Sequence, residues 1–292
     1  MSFNKRPWSL QDFEIARVVG HGRFGRVYLA RERKSGFIVA LKVIPRKDLQ
    51  ENPLTARQVL AEIDIQSVCS HNNILELFGY FHDDKNIYLI IEYCTNGTLN
   101  DVLQEKIRLP EKEASKNIES VLRSIDYLHR RKIIHRDIKT ENILLSHNGT
   151  LKLADFGWSV KLTTEKKRRE TFCGTLDYIA PEIVERLEYG RKVDIWACGI
   201  LLWEMLFGDA PFIDVDEIST MRRIREIDYE FPLKIPVSDE CKDFISRIFH
   251  INPLKRPKAE ELLRHPFILK FKKTHQQKRP SLGRRRGLSG KK

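Results

Sequence analysis

The change in local pattern along the chain limits its fold more than any other feature. Up to about residue 92, runs rich in β-branched and apolar residues alternate with glycines, and past Gly97 the apolar residues recur at helical spacing. The sequence contains no internal repeat. We therefore predict an α+β fold with a small strand-rich lobe that contains one key helix, a larger helical lobe and a cleft between them.

The predicted elements follow this division. Strands are predicted over residues 13–19, 26–31, 37–44, 74–81 and 86–92. A helix is predicted over residues 54–70, with Leu60, Ile63 and Val68 as candidate inward positions. Further helices are predicted over residues 111–131, 191–207, 215–226, 238–250 and 258–263. The clearest of them has apolar residues at helical spacing, which are Ala114, Ile118, Val121, Leu122, Ile125 and Leu128.

On this pattern the chain divides into an extension, a small lobe, a hinge, a large lobe and a tail, over residues 1–12, 13–92, 93–97, 98–269 and 270–292. The tail has ten Lys or Arg and no Asp or Glu, which leaves +2 of the net charge of +12 to residues 1–269. We expect this tail to be disordered. Two interpretations stay open: the tail only increases solubility, or it contacts an acidic partner such as chromatin or a microtubule surface.

Composition excludes several other classes of protein. With 41% hydrophobic residues, the chain has ample material for a core. No apolar run near the N-terminus resembles a signal peptide. The most apolar stretch, residues 195–207, is too short for a membrane span and contains Glu204, so we predict a buried helix and no membrane contact. The five cysteines are scattered, which favours a reducing compartment and predicts neither disulfides nor a metal cage.

A glycine-rich segment, residues 20–27, reads GHGRFGRV between two predicted strands. Glycines at this spacing let a backbone hairpin close over phosphate groups without side-chain clashes. A Rossmann dinucleotide site is the main alternative, but it requires a helix directly after the glycines. Because a strand is predicted there, we favour a hairpin that covers a nucleotide.

Lys42 ends the sequence VALK in the third predicted strand. A lysine in so apolar a run needs an anion, which the α- and β-phosphates of ATP and a helix carboxylate would provide. We predict that this carboxylate is Glu62; Glu51 lies too early in the chain and Asp64 points to another face. The alternative is a surface lysine whose stem alone is buried.

Residues 135–142 read HRDIKTEN, residues 155–157 read DFG and residues 180–182 read APE. In this arrangement Asp137 would accept or orient the proton of an attacking hydroxyl, and Lys139 would neutralise charge on the transferring phosphoryl group. Asn142 and Asp155 would bind Mg²⁺ on the phosphates of ATP. The three motifs in this order predict phosphoryl transfer.

The segment between Asp155 and Glu182 is predicted to carry a phosphorylation switch. It contains a basic run that ends at Thr171, and a phosphate on Thr171 would draw in Arg136 and Arg169 and order the segment. Two framework contacts are also expected. Glu182 would pair with Arg256, and Asp194 would anchor the backbone of residues 135–142.

Together these motifs cover residues 13–267 and resemble the eukaryotic protein kinase domain, and within it the Aurora kinase family. Three segments carry the Aurora resemblance: DFGWSV at residues 155–160, TFCGTLDY at 171–178 and WSLQDFEI at 8–15. The resemblance implies the bilobal kinase fold and Mg²⁺-dependent use of ATP. The ATP contacts that it implies are Gly20, His21, Gly22, Arg23, Phe24, Gly25, Val27, Ala40, Lys42, Glu92, Cys94, Asn142 and Asp155.

The resemblance also implies a biological setting. It implies a Ser/Thr kinase of chromosome segregation and spindle function, in nucleus and cytoplasm and at the spindle, centromere, chromosome or centrosome during division. An activating partner of the inner-centromere-protein or spindle-factor kind would bind the small lobe. Substrates would have arginine two or three residues before the target hydroxyl, paired with Glu141. Because residues 168–171 read RRET, we predict that Thr171 is autophosphorylated.

Three positions depart from the family pattern. Thr140 stands where most kinases have proline, the APE motif lacks the second proline of many Aurora kinases, and Ala61 replaces an arginine that often binds the loop phosphate. Two alternatives are weighed against an active Aurora-like kinase. A pseudokinase scaffold would lack at least one catalytic group. All five predicted groups are present, namely Lys42, Glu62, Asp137, Asn142 and Asp155. A basophilic kinase outside the Aurora group is disfavoured by Trp158, Ser159 and Val160.

Overall fold

In a computed structural model of the chain, the first five strands form one antiparallel sheet in the order β1-β2-β3-β5-β4. These strands are β1 (Phe13–Gly22), β2 (Gly25–Glu32), β3 (Ile38–Pro45), β4 (Leu77–His82) and β5 (Asn86–Ile91). The structure describes residues 7–22, 24–162 and 176–272. The predictions for Arg23, Arg169 and Thr171, and for most of the basic tail, lie outside these residues.

Two helices connect β3 to β4, α1 (Arg46–Glu51) and α2 (Pro53–Gln66). The side chain of Asn52 accepts hydrogen bonds from the backbone N–H groups of Leu54 and Thr55, which fixes the start of α2. Ile63 faces inward as predicted, but Leu60 and Val68 are 58% and 60% exposed. Those two predictions were wrong because the buried face follows Val59, Glu62, Ile63 and Gln66, on the other side of the helix.

The strand predicted over residues 74–81 begins later than expected, at Leu77. Residues 73–75 pair instead with Leu153 of the large lobe: Leu75 N–H donates to Leu153 O over 3.0 Å, and Leu153 N–H donates to Asn73 O over 2.9 Å. This short segment therefore joins the two lobes behind the cleft. Its apolar sequence alone could not distinguish a sheet strand from such a bridge.

The large lobe is mainly helical. Its helices are α3 (Leu99–Lys106), α4 (Glu111–Arg130), α5 (Pro181–Val184), α6 (Lys192–Phe207), α7 (Glu217–Glu226), α8 (Asp239–Ile248), α9 (Ala259–Leu262) and α10 (Pro266–Lys270). Two short two-stranded sheets accompany them, β6 (Ile133–Ile134) with β9 (Val160–Lys161), and β7 (Ile143–Leu145) with β8 (Leu151–Leu153). The sequence pattern missed the short helices α1, α3, α5 and α10, which are too brief to show a period.

The two central helices of this lobe match the prediction. All six predicted inward residues of α4 are buried, and nearly every residue of α6 is buried. The helix α6 is therefore the buried helix expected from its continuous apolar sequence. Within the described residues, no helix combines the length and the apolar character that a membrane span requires.

A buried ion pair connects α5 to the segment after α8. The guanidinium of Arg256 donates to both carboxylate oxygens of Glu182 at 2.7 Å, as predicted. Arg256 also donates to the carbonyls of His250, Ile251 and Lys192. The pair thus holds the end of the APE motif against the segment that follows α8 in the large lobe.

This pair yields a prediction about stability. Glu182→Ala would leave Arg256, which is 1% exposed, as an unpaired buried cation. We expect a loss of about 3–5 kcal/mol in the free energy of unfolding, measured by urea denaturation. Glu14→Ala, which removes the exposed partner of Arg31, is the matched control and should leave the unfolding midpoint nearly unchanged. A loss for Glu182→Ala no larger than that of the control would contradict the prediction.

Candidate active site

A cleft of about 560 Å³ separates the two lobes. Its small-lobe wall is formed by the β1–β2 hairpin, β3 and α2, and its large-lobe wall by residues around β7 and the DFG motif. The predicted site residues that line it are Gly20, His21, Gly22, Val27, Ala40, Lys42, Glu62, Glu92, Cys94, Glu141, Asn142 and Asp155. Residues distant in sequence thus meet at one cleft.

The Lys42 ammonium pairs with Glu62 of α2. Its Nζ donates to both carboxylate oxygens, over 2.6 and 2.8 Å. Lys42 is only 7% exposed, which rules out the surface-lysine alternative. Burial opposes its charge, but the carboxylates of Glu62 and Asp155 outweigh burial, so the pKa of Lys42 is raised. Among the rivals of Glu62, Asp64 is exposed and Glu51 pairs with Lys47.

The catalytic loop between β6 and β7 is anchored by Asp194, at the start of α6. Its two carboxylate oxygens accept the backbone N–H groups of His135 and Arg136, over 3.0 and 2.8 Å, as predicted. His129 Nε2 lies 2.8 Å from the same carboxylate. Burial would raise the pKa of Asp194, but these hydrogen bonds lower it, so the group stays ionised.

Two residues of the site have left-handed backbone conformations. Arg136 has φ of 71° and Asp155 has φ of 61°. Such conformations cost on the order of 1–3 kcal/mol each for residues other than glycine. The conformation of Arg136 is stabilised because its N–H donates to the Asp194 carboxylate. The conformation of Asp155 is stabilised because its carboxylate accepts the N–H of Gly157 over 3.2 Å.

The buried imidazole of His135 connects the catalytic loop to the DFG motif. Its Nε2 lies 3.2 Å from the carbonyl oxygen of Ala154, so Nε2 carries the proton and donates. Its Nδ1 accepts the backbone N–H of Asp137 over 3.3 Å. Burial lowers the pKa of His135, which keeps the ring neutral and this pair of bonds intact.

The carboxylate of Asp137 is held by Asn142 and Lys139. Asn142 Nδ2 donates to the carbonyl and to Oδ2 of Asp137, both over 2.8 Å, and Lys139 Nζ lies 3.4 Å from Oδ1. The amide nitrogen of Asn142 is thereby engaged, and its oxygen is the atom left for a cation. Together with the Asp155 carboxylate it offers hard oxygen ligands, which fit Mg²⁺ bound mainly through nucleotide phosphates.

Not every predicted nucleotide contact lines the cleft. Gly25 lies against β3, where a side chain would overlap the carbonyl oxygen of Val43, so its glycine is required for packing. Phe24 is buried in the small lobe. The carboxylate of Glu92 lies 2.8 Å from Lys152 Nζ and its N–H donates to Glu76 O, which leaves its carbonyl oxygen for the adenine base. Burial, with help from Glu92, raises the pKa of the Cys94 thiol to about 12, so this cleft residue stays neutral.

Arg136 is half-buried and its guanidinium has neutral partners. Nε donates to Trp158 O over 2.6 Å and Nη1 donates to Tyr189 Oη over 3.0 Å. Within the three described stretches of chain, none of the ion pairs includes Arg136. Its charge is therefore available to an anion, as the predicted switch requires.

Two further acidic groups, Asp177 and Glu204, lie near Glu141 and were not predicted as site residues. Tyr178 Oη donates to Glu204, and Thr140 Oγ1 lies 3.2 Å from Glu141 and 3.4 Å from Glu204. Burial, then Glu141 and Asp177, raise the pKa of Glu204; burial and Glu141 raise that of Asp177. The available signal was Glu204 itself, a carboxylate within the apolar stretch of residues 195–207. These three acids form the acidic group of the site.

The fold and the site define a protein kinase domain, and the family model described as "Protein kinase domain" matches residues 13–268. The chain is 47% identical over 268 residues to an Aurora kinase of Schizosaccharomyces pombe, which covers 91% of this chain and 74% of that protein. It is 44% identical over 265 residues to the serine/threonine-protein kinase Aurora-1 of Arabidopsis thaliana, with 91% and 89% covered. It is 42% identical over 264 residues to Aurora kinase C of Mus musculus, with 90% and 94% covered.

The chain therefore belongs to the Aurora family of serine/threonine protein kinases. This confirms the predicted fold and enzyme class. Members of the protein kinase domain family use ATP and a divalent metal ion to phosphorylate proteins.

The buried His135 predicts a pH-dependent stability. Below the ordinary histidine pKa of about 6.5 the unfolded chain binds a proton that the folded chain excludes, because the folded pKa is lowered. Stability should therefore fall on acidification, by up to about 1.4 kcal/mol per pH unit between pH 6.5 and the folded pKa. The measurement is urea denaturation from pH 7 to 5.

Two variants isolate the contribution of this group. His135→Gln removes the titrating ring, so its stability should depend less steeply on pH than that of the wild type. His147→Gln, at an exposed position, should keep the wild-type slope. Equal slopes for wild type and His135→Gln would show that His135 is protonated as easily in the folded chain as in the unfolded one.

Proposed function

We propose that this chain transfers the γ-phosphoryl group of Mg²⁺-bound ATP to Ser or Thr hydroxyls in arginine-rich protein segments. The observation that carries this proposal is that Lys42, Glu62, Asn142 and Asp155 line one cleft, and that the Asn142 amide donates to the Asp137 carboxylate beside it. Such convergence supplies positioning and charge stabilisation, which are the main needs of phosphoryl transfer.

Each group has a defined role in this proposal. Asp137, oriented by the Asn142 amide, accepts the proton of the substrate hydroxyl as that oxygen attacks phosphorus. Lys139 and Lys42 stabilise negative charge on the phosphates, and Glu62 holds Lys42 in place. Asn142 and Asp155 would hold Mg²⁺, which neutralises the phosphate oxygens and orients them.

Substrate selection is proposed to depend on the acidic group of Glu141, Asp177 and Glu204. Burial and the charge of Glu141 raise the pKa of Asp177 and of Glu204, and a nearby guanidinium would offset this repulsion. Exposed Glu141 would meet the arginine two or three residues before the target. The partly buried Glu204 would support it.

Activation is proposed to follow phosphorylation of Thr171. The half-buried Arg136, whose guanidinium has only neutral partners within the described residues, supports a role as phosphate ligand, with Arg169 as a second one. A protein partner of the inner-centromere-protein or spindle-factor kind would bind the small lobe. Because Ala61 replaces an arginine, α2 would depend less on the phosphate and more on this partner.

The proposed cellular role is regulation of chromosome segregation and the spindle, and it is supported by membership of the Aurora family. The corresponding locations are nucleus and cytoplasm, and the spindle, centromere, chromosomes or centrosome during division. The basic tail would add an electrostatic contact with chromatin or microtubules. Localisation of a tagged chain truncated after residue 269, compared with the full chain in dividing cells, tests the tail; unchanged localisation counts against that contact.

The proposed role of the cleft is tested by radiolabelled phosphoryl transfer to histone-tail peptides. Asp155→Ala should reduce the rate by at least about 10²-fold, because the site loses a cation ligand. Asp64→Ala removes an exposed carboxylate of α2 and should keep the wild-type rate. Equal incorporation by Asp155→Ala and wild type would remove Asp155 from the mechanism.

The same assay with arrayed peptides tests substrate selection. Peptides with arginine two or three residues before the target should be preferred to alanine-substituted peptides by wild type. Glu141→Ala should reduce this preference through KM more than kcat, since a ground-state ion pair is lost. A Glu141→Ala enzyme with the full wild-type preference would exclude this role.

Autophosphorylation is tested with Asp137→Asn, produced in a host that lacks related kinases. Mass spectrometry should find phosphate on Thr171 of the wild type and none on the variant. Phosphate on Thr171 of the variant would mean that another enzyme modifies it. Treatment of the variant with active wild type supplies the control that its Thr171 can still be phosphorylated.

A further inference from the structure

The ring of Phe24 lies beneath the tip of the β1–β2 hairpin, inside the small lobe. The residue is 6% exposed and belongs to an apolar cluster that includes Val59 of α2 and Ala154, which precedes the DFG motif. Lys42 Nζ lies 5.4 Å from the ring centre. An aromatic side chain at the tip of a hairpin would ordinarily be exposed, so this inward position is informative.

The other side of the ring packs on the glycine of the DFG motif. A Cβ atom at Gly157 would lie 2.9 Å from Cε2 and 3.3 Å from Cζ of Phe24. Any other residue at this position would therefore displace the ring. The ring therefore packs against the turn that carries Asp155 and lies near Lys42, the two groups proposed to engage phosphates and metal.

We propose that Phe24 competes with the triphosphate of ATP for the space between Lys42 and Asp155. The ring must leave its seat before both groups can engage the phosphates, so Phe24 weakens ATP binding instead of contributing to it. Adenosine has no phosphates and does not require this movement. The inference rests on the proposed ATP site. A simple nucleotide contact would increase the affinity for ATP, whereas the Phe24 side chain is proposed to decrease it.

The expected change in ATP affinity depends on the fraction of molecules in which the Phe24 ring occupies this inward position. Apparent affinity falls in proportion to the fraction of molecules that can bind. If the ring is seated about nine-tenths of the time, its removal tightens ATP binding about tenfold. The affinity for adenosine should change by less than about twofold, since the base and ribose meet a different part of the cleft.

The experiment measures dissociation constants of Mg²⁺-ATP and of adenosine by calorimetry for wild type and Phe24→Ala. The ratio of the adenosine constant to the ATP constant should rise about tenfold in the variant. Phe37→Ala, which removes an aromatic ring that is 56% exposed on the same lobe, should keep the wild-type ratio. An unchanged or lower ratio in Phe24→Ala overturns the inference.

A second variant tests whether the seat on Gly157 is the cause. Gly157→Ala should displace the ring, so its effect on the ratio should depend on whether Phe24 is present. Additive effects of Gly157→Ala and Phe24→Ala would overturn the inference. If wild type and variants bound adenosine but never ATP, the proposed ATP site would fail as well; binding of both ligands at one constant ratio would defeat only the role of Phe24.

Discussion

The buried carboxylate of Asp194 is the constraint on which the active site depends. It accepts two backbone N–H groups of the catalytic loop and contacts His129 at the end of α4. A charge this deeply buried is tolerated only when it is fully hydrogen-bonded, so the loop has one favourable conformation. The apolar surroundings of α6 strengthen those bonds. The core of the large lobe and the backbone of the catalytic loop are therefore one structural unit.

Charge balance around the cleft explains why the site suits a metal-bound anion. Glu62, Asp137 and Asp155 place three carboxylates near the ammonium groups of Lys42 and Lys139. Glu62 already uses Lys42, which leaves an excess of negative charge around Asp137 and Asp155. A divalent cation bound by Asp155 and Asn142 would relieve this excess, and nucleotide phosphates would supply its further oxygen ligands. The site is preorganised, because the Lys42 and Asp137 contacts exist within the protein itself.

The sequence predicted best those features whose chemistry demands a partner. Lys42 with Glu62, Glu182 with Arg256 and Asp194 with the catalytic loop are charges in apolar surroundings, so a partner could be inferred before its position was known. The burial of an apolar side chain could not be inferred where it depends on which other element packs against it. Leu60 and Val68 are apolar yet exposed, and Phe24 is buried at a hairpin tip, because the packing of α2 and of the DFG turn decides their environment.

The acidic group shows how a departure from the family pattern is accommodated. Thr140, where the resemblance to protein kinases led us to expect proline, is buried, which would be costly for an unpaired hydroxyl. Its Oγ1 is within hydrogen-bonding distance of both Glu141 and Glu204. Because one hydroxyl has one proton, it can donate to only one carboxylate at a time. The proton of Thr140 thus has two acceptors within reach, one exposed and one partly buried, so the buried hydroxyl keeps a partner whichever acid it donates to.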